Sequence, residues 1–280
     1  MDEDVLIMVS NDDGVTSPGI TALADAASSL GSVMIIAPEG EQSAAAMSLT
    51  FNRPLRVTKV HVGKRVCYAV SGTPADSTMI GIHNLLPRRP DAVVSGINLG
   101  ENLTIQDILA SGTVAAALSA ALLGIPAIAF SMEIPPGKTI PHGRREPNFA
   151  IPARIAAEII SEVLEHGMPR GADMLNVNFP WGTTWKTPVK ITTLEARKWR
   201  DSVLERNDPR GRPYYWIWGS RLPSFRRDSD AYTVHKRRAI SISPLSLDLT
   251  PKNPGEFKGF QSKVASRLRK VMDKSSSTHK

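Results

Sequence analysis

One cysteine, Cys67, is present in 280 residues, so an internal disulfide framework and a cysteine-rich zinc site are both excluded. A reducing, cytoplasmic setting is expected of such a chain. The histidines at positions 61, 83, 142, 166, 235 and 279 lack His-x-x-x-His or related spacing, and none is assigned to a metal or to catalysis. A long hydrophobic run is also missing. The longest apolar stretch, near Ala115 to Phe130, is broken by Gly124 and Pro126 and falls short of the roughly 20 residues that a membrane-spanning helix needs. Met1 to Asp4 lead straight into the apolar run Val5 to Val9 without a basic stretch, so no secretory signal is expected.

With 41% hydrophobic and 22% charged residues the chain reads as an ordinary globular protein. At this length about three quarters of the unfolded surface can be buried, so a core needs no metal to hold it and any metal would be functional. Lys and Arg number 34 against 27 Asp and Glu, a net charge of +7. That surplus is compatible with nucleic acid or with an anionic small substrate. It lies mainly in Lys186 to Arg238 and Lys258 to Lys280, and no zinc-finger, RRM or KH signature accompanies it.

Strand and helix signals alternate over the first half, as parallel βαβ units do. Val5 to Val9 reads as a strand covered on both faces. Pro18 opens a helix that Gly31 stops, and Ser32 to Ala37 is the second strand. Pro54 to Val62 and Arg65 to Val70 form a hairpin about Gly63-Lys64. A helix over Pro74 to Leu86, a strand over Asp91 to Ser95, an Ala-rich helix over Ser111 to Leu123 and a strand over Ala127 to Ser131 follow. Beyond these, Glu133 to Pro147 reads as loop, Ala150 to His166 as helix, and Met174 to Phe179 and Val189 to Thr193 as strands. Trp199 to Trp218 reads as a long hairpin with Asp208-Pro209-Arg210-Gly211 at its tip, and the chain after Pro254 as a basic amphipathic helix with a Ser/Lys tail.

In an open parallel sheet, ligands bind beyond the carboxyl ends of the strands, and four of these strand ends carry polar groups. Ser10-Asn11-Asp12-Asp13-Gly14 places two adjacent carboxylates after the first strand. Their repulsion is relieved by a cation such as Mg²⁺ or Mn²⁺; the alternative is a helix cap ahead of Pro18. Ser43 and Asn98, after the second strand and after the strand at Asp91, offer neutral oxygens that complete such a site. Ser111-Gly112-Thr113 at a helix start is either an anion site, with unpaired amides and two hydroxyls, or a simple cap. Ser71-Gly72-Thr73-Pro74-Ala75-Asp76 is a similar turn that either shapes the substrate pocket or caps the helix after it. Tyr214, Tyr215, Trp216 and Trp218 suit packing at a subunit interface or base stacking.

Asn11-Asp12-Asp13-Gly14, Pro38 to Ser43 with Ser48-Leu49-Thr50, Arg53-Pro54-Leu55, Ser71 to Asp76, Ser95-Gly96-Ile97-Asn98, Ser111-Gly112-Thr113 and Gly124-Ile125-Pro126-Ala127 stand in the order seen in the SurE family. Asn176 to Pro180, Ser241 to Leu245 and Asp248-Leu249-Thr250 agree, so the chain resembles that family over about residues 4 to 250. The resemblance implies an α/β fold with a Rossmann-like three-layer core and a mainly parallel sheet. Residues 1–135 would carry the site. Residues 136–280 would add the remaining core strands and an oligomerisation extension, with a hairpin near 199–219 and a terminal helix near 255–274.

The resemblance further implies a 5′/3′-nucleotidase that hydrolyses nucleoside monophosphates. It implies one divalent ion per subunit on Asp12, Asp13, Ser43 and Asn98, and phosphate contacts from Asn11, Ser111, Gly112 and Thr113. Asp12, Asp13 and Asn11 would carry the chemistry, in a homodimer or homotetramer that needs neither membrane nor nucleic acid. Ala44, Ala46 and Met47 replace a Gly and a Ser-His pair usual in the family, and Gly40 replaces a common Arg. The rival functions are a non-catalytic Mg²⁺-dependent switch of the phospho-receiver type and an RNA-binding protein on the same scaffold.

Overall fold

The computed structural model describes residues 4–134, 147–251 and 253–277, with side chains of the last helix described as far as residue 269. Most of the loop expected at Glu133 to Pro147 lies outside the described residues, as do His142, His279 and the end of the tail. Two compact units are present, one running to Leu245 and one from Ser246 onward.

The first unit is built on a nine-stranded sheet. In chain order its strands are β1 (Leu6–Ser10), β2 (Ser32–Pro38), β3 (Val57–Val62), β4 (Arg65–Val70), β5 (Ala92–Leu99), β6 (Ala127–Met132), β7 (Met174–Phe179), β8 (Val189–Ile191) and β11 (Ile240–Leu245), with β9 (Trp199–Asn207) and β10 (Pro213–Arg221) pairing apart as a separate hairpin. The order across the sheet is β3-β4-β2-β1-β5-β6-β7-β11-β8. Pairing is parallel from β4 to β7, and the β3–β4 and β7–β11 pairs are antiparallel. Every residue of β1, β6 and β7 is buried, as central strands covered on both faces should be.

Helices α1 (Pro18–Ala27) and α5 (Ala150–His166) pack together on the sheet, and α2 (Pro74–Ile80) packs with α4 (Gly112–Ala121). The result is the three-layer α/β architecture expected. In α1, Ser17 accepts from the Ile20 amide as N-cap, Pro18 occupies the first turn, and Ile20 and Leu23 are fully buried. Each such side chain contributes about 1.5–3 kcal/mol by leaving water. In α2, Thr73 and Asp76 form a reciprocal capping box, so Ser71 to Asp76 caps its helix. Asp76 also accepts from the Thr50 amide at 3.0 Å and the Thr50 hydroxyl at 2.7 Å, which ties the 43–50 loop to the helix.

Several elements depart from the sequence reading: the helix expected over Pro74 to Leu86 is α-helical only to Ile80 and continues as a π-helix over Gly81–Leu85, and a helix over Asp230–His235 was not expected. A helix α3 (Thr104–Ala110) occupies what reads as loop ahead of Ser111, and β5 runs on to Leu99 instead of ending at Ser95. The register of β5 against β6 shifts between Ser95 and Asn98, as at a bulge. Gly96 stands there at φ 125°, and a Cβ on it would lie 2.2 Å from the Phe130 carbonyl oxygen.

The hairpin is exposed along most of its length. Its tip is closed by Asp208, which accepts from the Arg210 and Arg212 amides at 2.8 and 2.9 Å. A short α6 (Asp230–His235) precedes β11. In the second unit, α7 (Lys258–Ser277) is the terminal helix. Among the described residues no helix is long and apolar enough to cross a membrane.

Candidate functional site

Chain order reverses at β1, which has β2 on one side and β5 on the other. Such a switch point opens a crevice at the strand ends, and Asp12-Asp13 follow β1 while Asn98 ends β5. A cleft of about 430 Å³ lies here. Asp12, Asp13, Ser43, Asn98 and Ser111, expected as a set, all line it, together with Glu41, Ala44, Leu99, Glu101, Asn102, Asp107 and Ala110. Asn11, Gly112 and Thr113 do not line it.

Asp12 is buried, and burial pushes its carboxyl above the ordinary range. The Thr113 hydroxyl and the Thr113 and Gly112 amides oppose that rise. Thr113 Oγ1 donates to Asp12 Oδ1. The amides at the start of α4, read from the sequence as an anion site or a cap, therefore face a carboxylate of the chain itself. Gly112 is required for the approach, because a Cβ there would stand 2.7 Å from the Cβ of Asp12.

Asp13 is pushed up to about 6, first by burial and then by the charge of Asp12; a bond from the Leu99 amide opposes this, and Glu41 adds to it. That bond is long, at 3.4 Å. Two carboxylates so crowded gain most from a cation beside them. Asn11 is buried behind the turn, and its Nδ2 donates to the Gly14 carbonyl at 3.0 Å and to Ser17 Oγ at 2.8 Å. It braces the Asp12-Asp13 turn from within.

The neutral donors are also held. Ser43 Oγ donates to Glu41 Oε1 at 2.6 Å, and Asn98 Nδ2 donates to the Gly100 carbonyl at 2.7 Å. Each bond uses donor hydrogens and leaves oxygen lone pairs for a ligand. Ser111 Oγ accepts from the Val114 amide at 3.1 Å, so the cap reading holds there. Among the described residues no group of three or more His, Cys, Asp or Glu could hold a metal. A cation in this cleft must draw on the two aspartates plus neutral oxygens, and two carboxylates, a hydroxyl and an amide carbonyl are the hard donors that Mg²⁺ and Mn²⁺ take. The residues fit such an ion.

Glu101, Asn102 and Asp107 were not singled out from the sequence. They sit between Gly100 and Ser111, where the spacing of Ile105, Ile108 and Leu109 is the one signal for the helix that carries Asp107. Asn102 is clamped by β7: its amide donates to Asn178 Oδ1 at 2.8 Å, and its carbonyl accepts from Asn176 and Asn178 at 2.9 and 3.1 Å. The motif Asn176 to Asn178 thus fixes the cleft wall from two strands away.

The profile of the family described as survival protein SurE matches residues 7–201. A 5′-nucleotidase SurE of Methanocella arvoryzae is 44% identical over 246 residues, covering 87% of this chain and 92% of the relative. Another, from Methanocaldococcus jannaschii, is 43% identical over 267 residues, covering 92% and 98%. The crystal structure of the SurE protein from Aquifex aeolicus superposes with a TM-score of 0.76 at 36% identity, covering 91% of this chain and 99% of that one. The order of blocks along the sequence, the three-layer sheet and these similarities agree, and the chain belongs to the SurE family.

Proposed function

We propose that the chain is a nucleotidase that hydrolyses nucleoside 5′- and 3′-monophosphates to nucleoside and phosphate, with one Mg²⁺ or Mn²⁺ ion per subunit. The observation that carries this reading is the buried Asp12 beside the half-buried Asp13 at the β1–β5 switch point, with the start of α4 closing on Asp12. Relatives at 40–44% identity that bear the name 5′-nucleotidase support the substrate class.

Asp12, Asp13, Ser43 and Asn98 would hold the ion. When bound, it supplies Lewis acidity toward the phosphoryl group and the attacking water. Thr113 and Gly112 keep Asp12 in place, and Asn11 keeps the turn in place, so neither carboxylate must reorganise as charge develops. Ser111 presents its hydroxyl hydrogen to a phosphoryl oxygen, because its oxygen already caps α4. Asn11, Gly112 and Thr113 act on phosphate through Asp12 and the helix start rather than by lining the cleft.

A homodimer or homotetramer is supported by the hairpin, which presents Trp216 and Trp218, each about three-fifths exposed, on one face and Ile217, 87% exposed, on the other; large apolar side chains left in water on both faces mark an interface. A reducing setting is supported by Cys67, a free buried thiol. A phospho-receiver needs an aspartate at a later strand end, and β5 ends in Asn98-Leu99.

The test is phosphate release from 5′-AMP and 3′-AMP with EDTA, Mg²⁺ or Mn²⁺. Release that depends on the added cation is expected. No release with any cation would overturn the reading.

A further inference from the structure

Five carboxylates line the cleft, those of Asp12, Asp13, Glu41, Glu101 and Asp107, and no lysine, arginine or histidine is among the described residues that do so. One divalent cation offsets two of those charges. A phosphate dianion would still meet a negative wall, and like charges brought together in a partly desolvated cleft repel strongly. The compensating cation lies one layer behind that wall.

Lys198, the residue before β9, is buried. Its Nζ is 2.6 Å from Asp107 Oδ2 and 3.0 Å from Glu101 Oε1, and it donates to the Glu101 carbonyl at 3.2 Å. Its ammonium hydrogen-bonds the Glu101 carbonyl and carboxylate and forms an ion pair with Asp107, and it is not among the residues that line the cleft. Buried behind Glu101 and Asp107, which do line the cleft, Lys198 acts through the two carboxylates. The side chains of Glu101 and Asp107 are only 11% and 15% exposed, so solvent ions screen the arrangement weakly. Arg221, paired with Trp199 at the same end of the hairpin as Lys198, stands 3.7 Å from Glu101 Oε1 and strengthens the same compensation.

We infer that Lys198 is a specificity-determining positioning residue: it neutralises and holds the Glu101–Asp107 wall, so that the cleft accepts a phosphate dianion as well as a cation. The inference rests on the phosphomonoesterase reading for its substrate. Its physical content is the opposite response of anion and cation affinity to one buried charge.

The test measures binding of Mn²⁺ alone, then of inorganic phosphate at saturating Mn²⁺, both by calorimetry, on the full chain and three variants. Lys198→Met is expected to bind Mn²⁺ more tightly and phosphate more weakly, each by about tenfold, the scale of one unit charge at short range in a partly desolvated site. KM for AMP should rise by a similar factor with kcat changed far less. Lys198→Arg should restore all three constants. Asp107→Asn, which keeps Lys198 on Glu101, should move them the other way, and it gives the same answer where Lys198→Met fails to fold. A loss of both affinities together in Lys198→Met, or no movement of either in the folded variants, would overturn the inference. Because neither binding measurement needs turnover, a wild-type chain that binds both ions yet hydrolyses no nucleotide would sink the proposed function and leave this test standing.

Discussion

The hydroxyl of Thr113, at the first turn of α4, donates to Asp12 Oδ1, joining a helix start to a strand end 101 residues away in sequence. A hydrogen bond to a charged group contributes about 1.5–3 kcal/mol. Thr113→Val keeps the shape and removes the donor. Metal-dependent phosphate release is expected to fall by roughly tenfold to a hundredfold, the factor corresponding to that energy, with circular dichroism unchanged. Normal turnover in this variant would show that the bond does not position Asp12.

Asp12 and Asp13 repel each other, since the charge of Asp12 contributes to the raised carboxyl of Asp13. Asp12→Asn removes one charge at constant volume. Cation-dependent turnover should vanish, while the melting temperature in EDTA stays equal to that of the wild type or rises. A variant that retains activity would remove Asp12 from the site.

Ala44, directly after Ser43, stands at φ 57°. The left-handed region costs a residue with a Cβ roughly 1–2 kcal/mol, and a glycine in the unfolded chain gives back part of that through its larger entropy. Ala44→Gly is therefore expected to stabilise the protein by about 0.5–1 kcal/mol, read from denaturant midpoints. A lower midpoint would mean that the loop conformation is not held by Ser43 and its neighbours.

Glu133, after β6, is buried, which by itself raises its carboxyl. Bonds from His235 Nδ1 at 2.9 Å, from the Trp181 amide at 3.0 Å and from Arg238 outweigh burial and hold it down at about 2, against an ordinary 4.5. A carboxyl depressed in the folded state stabilises above its unfolded value and loses that contribution as pH falls from about 4.5 to about 2. Roughly 2–3 kcal/mol is at stake. Glu133→Gln should be less stable than wild type at pH 7, with the gap closing across that window in urea titrations. A gap independent of pH would place the effect in packing.

Ile217 and Trp218 lie on the exposed hairpin. Replacing both with glutamate should lower the mass measured by light scattering, with little change in the melting of the sheet. An unchanged mass would move the subunit contact elsewhere.

Much of the fold was legible because its signals are local. The buried runs of β1, β6 and β7, the prolines that open α1 and α2, and the Gly63-Lys64 and Asp208 to Gly211 turns each act within a few residues. Helix α5 begins and ends where the sequence places it. Helix α3 was not legible, because seven residues make a weak period and its capping residue, Leu103, has no side-chain cap bond. The extension of β5 past Ser95 was hidden for a related reason. The register shift falls at Gly96, whose positive φ and close approach to the Phe130 carbonyl no local sequence pattern announces.

The chemistry divides in the same way. Taken alone, the sequence determined which oxygens could serve a hard cation, since adjacent aspartates, a serine and an asparagine at strand ends are readable from residue type and position. Only the tertiary structure decided what the remaining groups do. It turned Thr113 and Gly112 toward Asp12 and set Lys198 behind Glu101 and Asp107. Residue type is a property of the chain at one point, whereas the direction of a donor and the burial of a charge depend on neighbours that arrive from 90 or more residues away.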